Sequence, residues 1–495
     1  LVEIGSKPAI CHIIESYSPD TEFVIPLGYG RNELKQFLKL AYPQKKIIYV
    51  DVDIYKGRGS GLGYTLLKAK RFLQQPFIFN SCDTIIKNEI PFLNKNWIGY
   101  SSRKNSSQYR TILKKNGKVN NILEKSHKES TNDVYIGLAG IKDYNEFWNN
   151  FNSTYTNYIE EGEAVGLKNL IEKTLIPVRF DWYDTGNPED LAKTRIAFRK
   201  VDSPNILDKE GETIWFVGNK VIKYSSNKEF ISNRFERAKN LKNFIPKIID
   251  KTDNMYSYIK EDGKILSTNL SIELFKKLLN SLDLFWEEKT LNENEKIDFK
   301  SCCKKFYYEK TNIRIDDFKK KYPYIEKIRT INDIKIMPIN NLLKKLNWEN
   351  ICQGKIGRFH GDFHFENIIW NQIEEKFIFL DWRQDFGGNL NLGDIYYDLA
   401  KLKHGLIIQH EHIVNEKYKV THNENEIKFD FYRNYIHVEC EKIFDDWLIF
   451  KGFDKNKVDT LTALVYINIA PLHHYPYDHM LYGIGNYMLH KNFLD

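Results

Sequence analysis

The sequence predicts an α/β protein in two successive parts. A doubly wound domain occupies residues 1–200, followed by a domain with a strand-rich lobe at 201–265 and a helix-rich lobe at 266–495. Three observations carry this. Short apolar runs alternate with amphipathic helical stretches from Pro8 to Asn80, which implies mostly parallel strands with helices packed on the sheet. The pattern turns polar between Arg195 and Ile206, around Ser203-Pro204, and a new pair of strands begins at Thr213. From Ser271 apolar residues recur at helical spacing: Ile272, Phe275, Leu278, Leu279, Leu282 and Phe285-Trp286.

In chain order, Pro8–Ile14 begins a helix with Pro in its first turn. Phe23–Leu27 reads as a strand, Arg31–Tyr42 as a helix and Lys46–Val50 as a second strand; Gly61–Leu73 follows as helix and Pro76–Asn80 as strand. Ligands of such sheets sit beyond the carboxyl ends of the strands, and two carboxylates stand there. Asp83 comes directly after Pro76–Cys82, and Asp184 lies after an apolar stretch, just before a helix opened by Pro188. Either alone reads as a turn or capping residue. Together they can hold the Mg²⁺ that neutralises a nucleoside triphosphate during nucleotidyl transfer.

On these residues, 1–200 resembles the sugar-phosphate nucleotidyltransferase family, which includes the phosphocholine cytidylyltransferases and has a GT-A-like fold. Leu1–Pro8 resembles the segment after that family's nucleotide signature. Lys56-Gly-Arg-Gly-Ser-Gly-Leu-Gly63 resembles its base-recognition turn, with Gly59 and Gly61 at the nucleotide, although the run alone also reads as a flexible turn. Asn80–Thr84 and Trp182–Pro188 resemble its two metal sites, and Tyr135–Gly140 its substrate-side glycine segment. The resemblance implies a second nucleoside triphosphate, CTP, as co-substrate. The family's glycine-rich triphosphate loop would stand before Leu1. Two expectations remain open: a natural chain that begins earlier and supplies the loop, or a domain that binds without catalysing.

In the second part, Thr213–Val217, the turn Gly218-Asn219 and Lys220–Tyr224 make a hairpin. A kinase small lobe uses a strand Lys to grip the α- and β-phosphates of ATP, paired to a Glu on the next helix. Lys223 is that candidate, beside the plain reading of an edge-strand lysine. Glu236 is its expected partner, with Glu229 kept open. Met255–Glu261 with Asp262-Gly263 reads as strand and hinge, the adenine meeting backbone near Lys260 and Glu261, and Asp208–Glu212 is a short turn in place of a glycine-rich loop. Residues 287–350, rich in Lys, Asn and Glu, read as insert helices.

The chemistry concentrates at Arg358-Phe-His-Gly-Asp-Phe-His-Phe-Glu-Asn-Ile-Ile-Trp370, then Phe377–Leu380 and Asp381-Trp382-Arg383. Phosphoryl transfer from ATP needs a carboxylate for the hydroxyl proton, an amide oxygen for one Mg²⁺ and a second carboxylate bridging metal and phosphates. Asp362, Asn367 and Asp381 fit those roles, and the Asp-to-Asn offset is that of H-R-D-L-x-x-x-N. Ile368–Trp370 and Phe377–Leu380 read as a hairpin that returns Asp381 beside Asn367. Asp385-Phe386-Gly387 spells D-F-G but lies past the strand end, so Asp385 reads as a loop residue or a substrate contact. The plain alternative for the whole stretch is a solvated loop whose Asp and Asn form turns.

These motifs resemble the aminoglycoside phosphotransferase and choline kinase group, which implies a bilobal, protein-kinase-like fold, ATP and Mg²⁺. His364, Arg383 and Asp385 then fall on the substrate side. In Leu392–Leu402, Asp394 caps a helix and Asp398 supports the loop. Pro471–His479 reads either as packing or as part of an acceptor pocket in which His474 and Tyr477 touch substrate. Its aromatics would suit an ammonium alcohol, its polar groups a sugar.

Lys and Arg number 73 against 66 Asp and Glu, a net charge of +7 scattered along the chain, which argues against a nucleic-acid footprint. The six cysteines show neither metal-ligand spacing nor a disulfide framework, and no apolar run reaches the roughly 18 residues of a membrane span. The expectation is a cytoplasmic ATP-dependent phosphotransferase carrying a nucleotidyltransferase domain. Its acceptor would be choline, ethanolamine, glycerol or a sugar, its product would decorate a surface polysaccharide, and a homo-oligomer is left open. The rival expectation is a kinase whose first domain is used only for binding or regulation.

Overall fold

A computed structural model of the chain describes residues 1–149, 151, 158–199 and 211–492. The boundary expected at Ser203-Pro204 and the start of the turn at Asp208 lie outside them. The chain forms two compact units: Leu1–Ser226 with Asp250–Ser257, and Asn227–Ile249 with Tyr258–Asp495.

In the first unit, α1 (Ala9–Glu15), β1 (Phe23–Leu27), α2 (Arg31–Ala41), β2 (Ile47–Asp51), α3 (Leu62–Ala69) and β3 (Phe77–Asn80) follow the expected alternation. β1 and β2 are parallel, Phe23 opposite Ile47. Then come β4 (Thr84–Ile86), β5 (Asn96–Ser102), β6 (Thr111–Lys115), β7 (Lys118–Leu123), β8 (Asp133–Ile141), β9 (Leu175–Arg179) and β10 (Trp182–Asp184). The larger sheet has the order β9-β5-β8-β6-β7, with β3 also pairing β8. Only β9 and β5 are parallel in it; β8 runs against β3, β5 and β6. The sheet is therefore more antiparallel than the alternation of strands and helices implies. One cause is local: β6 and β7 are joined by Asn116-Gly117, both at positive φ, the geometry of a two-residue hairpin.

The helix α4 (Pro188–Ala197) is capped by Asn187, which accepts the Asp190 N–H. β11 (Glu212–Val217) and β12 (Lys220–Ser225) form the expected hairpin. The sequence groups these strands with the second domain. Their apolar side, Trp215, Val217 and Ile222, shares one core with Cys11 and Ile14 of α1 and with Phe37, Leu38 and Leu40 of α2.

The second unit begins with α5 (Lys228–Leu241), capped by Asn227. α6 (Ile272–Phe285) buries Phe275, Leu278, Leu279, Leu282 and Phe285 of the stripe its periodicity predicts, with Leu274 in addition, while Ile272 is half-buried. α7 (Glu293–Cys303) opens with a capping box of Asn292 and Glu295, and passes through a π-helical turn at Lys304–Glu309 into α8 (Lys310–Lys321). β13 (Ile368–Asn371) and β14 (Lys376–Phe379) pair antiparallel, Ile368 opposite Phe379. α9 (Ile395–Ile407), α10 (Tyr435–Phe450), α11 (Lys455–Ile469) and α12 (Tyr477–Lys491) complete the unit. Residues of α9, α11 and α12 join Phe306, Phe359 and Phe386 in one core.

Candidate active site

The hairpin places two of the expected metal ligands at one end. The Leu380 N–H donates to the Asn367 carbonyl at 2.7 Å, so Asn367 enters β13 where Asp381 leaves β14. Asp381 has φ +57, a left-handed backbone that costs a non-glycine residue on the order of 1 kcal/mol. Arg234 of α5 ion-pairs with its carboxylate, and the neighbouring Trp382 indole donates to the Arg234 carbonyl at 2.9 Å.

Asp362, one-third exposed, is held from three sides. Lys401 of α9 lies 2.9 Å from Oδ1, His364 Nε2 lies 3.5 Å from Oδ2, and the Asn367 amide donates to the Asp362 carbonyl at 2.9 Å. Burial would raise this carboxyl, but Lys401 and His364 outweigh it and hold it well below the ordinary value. Burial likewise opposes the charge on His364, yet Asp362 and Glu366 push it up to about 9.

The loop is supported from beneath. Asp398 accepts the N–H groups of His360 and Gly361, at 2.6 and 2.7 Å, and the Trp286 indole at 3.0 Å. Burial raises its carboxyl to about 6 despite those donors. Burial lowers His360 to about 3, and its neutral ring accepts the Asp362 N–H at 3.2 Å. Gly361 has φ +88, and a Cβ there would lie 2.6 Å from Cβ of Arg383, so His-Gly-Asp is a steric requirement here. Arg237, buried, donates to the carbonyls of Phe359, Leu390 and Arg383. Burial presses it down to about 9.

Other expected residues fall as follows. Asp385 accepts the Gly388 N–H at 2.9 Å while Phe386 is buried among Phe299, Phe306 and Phe359, so D-F-G here is a turn with a core anchor. Tyr477 lies close enough to Glu366 for that carboxylate to add to burial in raising its phenol; His474 is exposed. Asp478 and His479 form a buried network with Lys321, Tyr322 and Tyr324. Glu236 ion-pairs with Lys239 one turn along α5, and Lys260 and Glu261 follow the strand Met255–Ile259. Lys223 is buried on β12, opposite Ile214.

In the first unit, β10 and β4 pair with Asp184 opposite Thr84, which brings Asp184 and Asp83 together. The Thr185 N–H donates to the Asp83 carbonyl at 3.0 Å, and Gly186 N–H to Asp184 Oδ1 at 2.8 Å. A Cβ on Gly186 would lie 2.8 Å from Asp83 Oδ2 and 3.2 Å from Asp184 Oδ1. Ser81 donates to Asp83, and Tyr109 to Asp184. Gly61 and Gly63 are needed for packing, since a Cβ on either would run into the backbone of the short helix at Tyr158–Glu161; Gly59, at φ +84, is open.

The donor sets suit Mg²⁺. It binds through one or two protein oxygens and completes its shell with water and phosphates. The Asn367 amide nitrogen is committed to Asp362, which leaves its amide oxygen for a metal, and Asp83 and Asp184 converge on a cradle that a single methyl group would fill. Among the described residues, no three His, Cys, Asp or Glu side chains form a closed metal site. Sequence reasoning missed Arg234, Arg237 and Lys401. The signal for Lys401 was its position one turn after Asp398 on the same helix face.

The second unit carries a phosphotransferase domain: residues 337–412, which contain the loop, Asp381 and Lys401, match the model of the phosphotransferase enzyme family. No curated protein matches the chain. Solved structures similar to it include nucleotidyltransferases, matched over the N-terminal region. CTP:phosphocholine cytidylyltransferase of Streptococcus pneumoniae is 15% identical, over 40% of this chain and 89% of that one, with a TM-score of 0.34. A nucleoside-diphosphate-sugar pyrophosphorylase of Vibrio cholerae is 14% identical, over 39% and 89%, with a TM-score of 0.33. The inositol-1-phosphate CTP transferase of T. maritima is 12% identical, over 39% and 82%, with a TM-score of 0.30. At such scores these likenesses carry no argument about activity. Among the described residues, no helix is long and apolar enough to cross a membrane.

Proposed function

We propose that the protein is a bifunctional cytoplasmic enzyme. Its second domain phosphorylates a small alcohol or sugar with ATP; its first transfers CMP from CTP onto that phosphate and releases pyrophosphate, for decoration of a surface polysaccharide. The observation that carries the kinase step is the Asp362 carboxylate, held ionised between Lys401 and His364. Asp362 accepts the acceptor's hydroxyl proton while that oxygen bonds to the γ-phosphorus and the bond to the β,γ-bridging oxygen breaks, releasing ADP. Asn367 and Asp381 would hold Mg²⁺, which neutralises the phosphates when bound. Lys223 as the phosphate-gripping lysine and Glu236 as its partner are the residues we infer for ATP, with backbone near Lys260 and Glu261 for its adenine. His364, Arg383 and Tyr477 face the acceptor. Asp83 and Asp184 would hold the metal for nucleotidyl transfer, supported by their convergence around Gly186, with Gly59 and Gly61 at the base.

The test is a sequential assay of the full chain. ATP and a panel of alcohols, sugars and hydroxy acids are followed for ADP, and CTP is then added and pyrophosphate followed. ADP release that depends on one acceptor, then pyrophosphate release that depends on its phosphate, is the expected result. Pyrophosphate release without prior phosphorylation would contradict the sequence of steps.

A further inference from the structure

We propose that the phosphoryl acceptor is an anionic hydroxy compound, carrying a carboxylate or phosphate group that Lys310, Arg314 and Arg383 hold beside Asp362. The inference rests on Asp362 being the kinase base and names what that base acts on.

Lys401 and His364 already answer the charge of Asp362. More cations crowd the same place. The Lys310 ammonium stands 4.5 Å from the centre of the Phe306 ring, and the Arg383 guanidinium stands 4.8 Å from the centre of that same ring. The Arg383 stem lies directly against Gly361, next to Asp362. Arg314 follows Lys310 by one turn of α8. None of the three side chains has a carboxylate partner among the described residues, and the Arg383 Nε is buried without a hydrogen-bond acceptor. Burial, with Arg383, Lys401 and Arg314 nearby, presses Lys310 well below its ordinary value. Cations gathered in a half-buried place are retained when something pairs them. The π-helical turn at Lys304–Glu309 fits this, since it aims Phe306 inward and Lys310 along it, and such turns recur where helices serve a site.

The anion could be the acceptor's own or the γ-phosphate of ATP, and position favours the acceptor. On the metal side, Asp381 has Arg234 as its cation. Lys310 and Arg383 gather instead at Gly361-Asp362, where the acceptor hydroxyl must sit. A quaternary ammonium would there meet like charge on three sides, which is why choline is the acceptor that this arrangement selects against.

The experiment uses the full chain with ATP and Mg²⁺ and acceptors of matched skeleton: glycerol, glycerate and glycerol phosphate, with choline and ethanolamine as cationic arms. One anionic acceptor should exceed the neutral and cationic ones by about 100-fold in kcat/KM. Lys310→Gln and Arg383→Gln should raise the KM for that acceptor about tenfold or more and leave the KM for ATP unchanged, while Lys310→Arg restores it and controls for folding. Equal rises in both KM values would assign the cluster to ATP and overturn the proposal. Choline or glycerol turned over as well as the anions would also overturn it, with the kinase reading intact. If no acceptor releases ADP, calorimetric binding of glycerate decides. Binding that Lys310→Gln abolishes would uphold the anionic site while the kinase reading falls; absence of binding would end the proposal.

Discussion

Asp362 and the Asp83–Asp184 pair are both carboxylate sites at the ends of strands or loops, yet their surroundings are opposite. Asp362 has Lys401 on one oxygen, His364 near the other, and Lys310 and Arg383 beyond. Asp83 and Asp184 approach each other around Gly186 with neutral donors: the Ser81 hydroxyl, the Gly186 N–H and the Tyr109 hydroxyl. Arg103 donates to Asp190 and to Tyr109, whose hydroxyl bridges Asp190 and Asp184. A carboxylate set among cations stays ionised and can take a proton without holding a metal of its own. Two carboxylates set among neutral groups repel each other unless a divalent cation lies between them. The charge around a carboxylate, more than its position at a strand end, separates the two roles proposed for these sites.

The comparison breaks most sharply at its centre. Asp362→Asn should lower ADP release by about a thousandfold while ATP binding survives, read by steady-state kinetics and nucleotide titration. Gly186→Ala forces a Cβ to within 2.8 Å of Asp83 Oδ2 and should lower pyrophosphate release about tenfold or more with ADP release unchanged.

Support beneath the loop is the next test. Asp398→Ala leaves two buried N–H groups and an indole without their acceptor and should cost about 3 kcal/mol in urea unfolding. Asp398 is pushed up to about 6 from an ordinary 3.8, so the folded chain keeps a proton that the unfolded chain has lost. The stability this gives is complete below about 4 and is lost as pH rises through 6. Asp398→Asn should lack that fall when urea midpoints are compared across the range. At the small end, Lys193→Ala removes an exposed pair with Glu189 on α4 and should leave the urea midpoint unchanged.

Local features of both regions were legible because they are written in adjacent residues. The apolar runs Ile368–Trp370 and Phe377–Leu380, joined by a polar turn, predict the hairpin, and the hairpin brings Asp381 to Asn367. The reading of Asp385-Phe386-Gly387 as lying past the strand end also follows from strand length, and β14 ends at Phe379. What the sequence did not disclose comes from far along the chain. Lys401 lies on a helix whose sequence signal is its aspartates, Lys310 in the Lys-, Asn- and Glu-rich stretch 287–350, and Arg234 and Arg237 on the helix of Glu236. Each becomes meaningful only when packing turns it toward the loop. The pairing of β11 and β12 with the core of α1 and α2 was hidden for the same reason, since the apolar face of a strand does not name its partner. Gly61 is expected at the nucleotide, and the backbone of a helix nearly a hundred residues later adds a packing reason for glycine at 61 and 63.

The central claim is that two separate carboxylate sites run two reactions. Its most direct test is a cross-assay of ADP and pyrophosphate release by the full chain, in the original sequence, in Asp362→Asn and in Asp83→Ala, with the phosphorylated acceptor supplied for the second reaction. The account predicts that Asp362→Asn loses ADP release and keeps pyrophosphate release, and that Asp83→Ala does the reverse. Equal loss of both activities in either variant would contradict it.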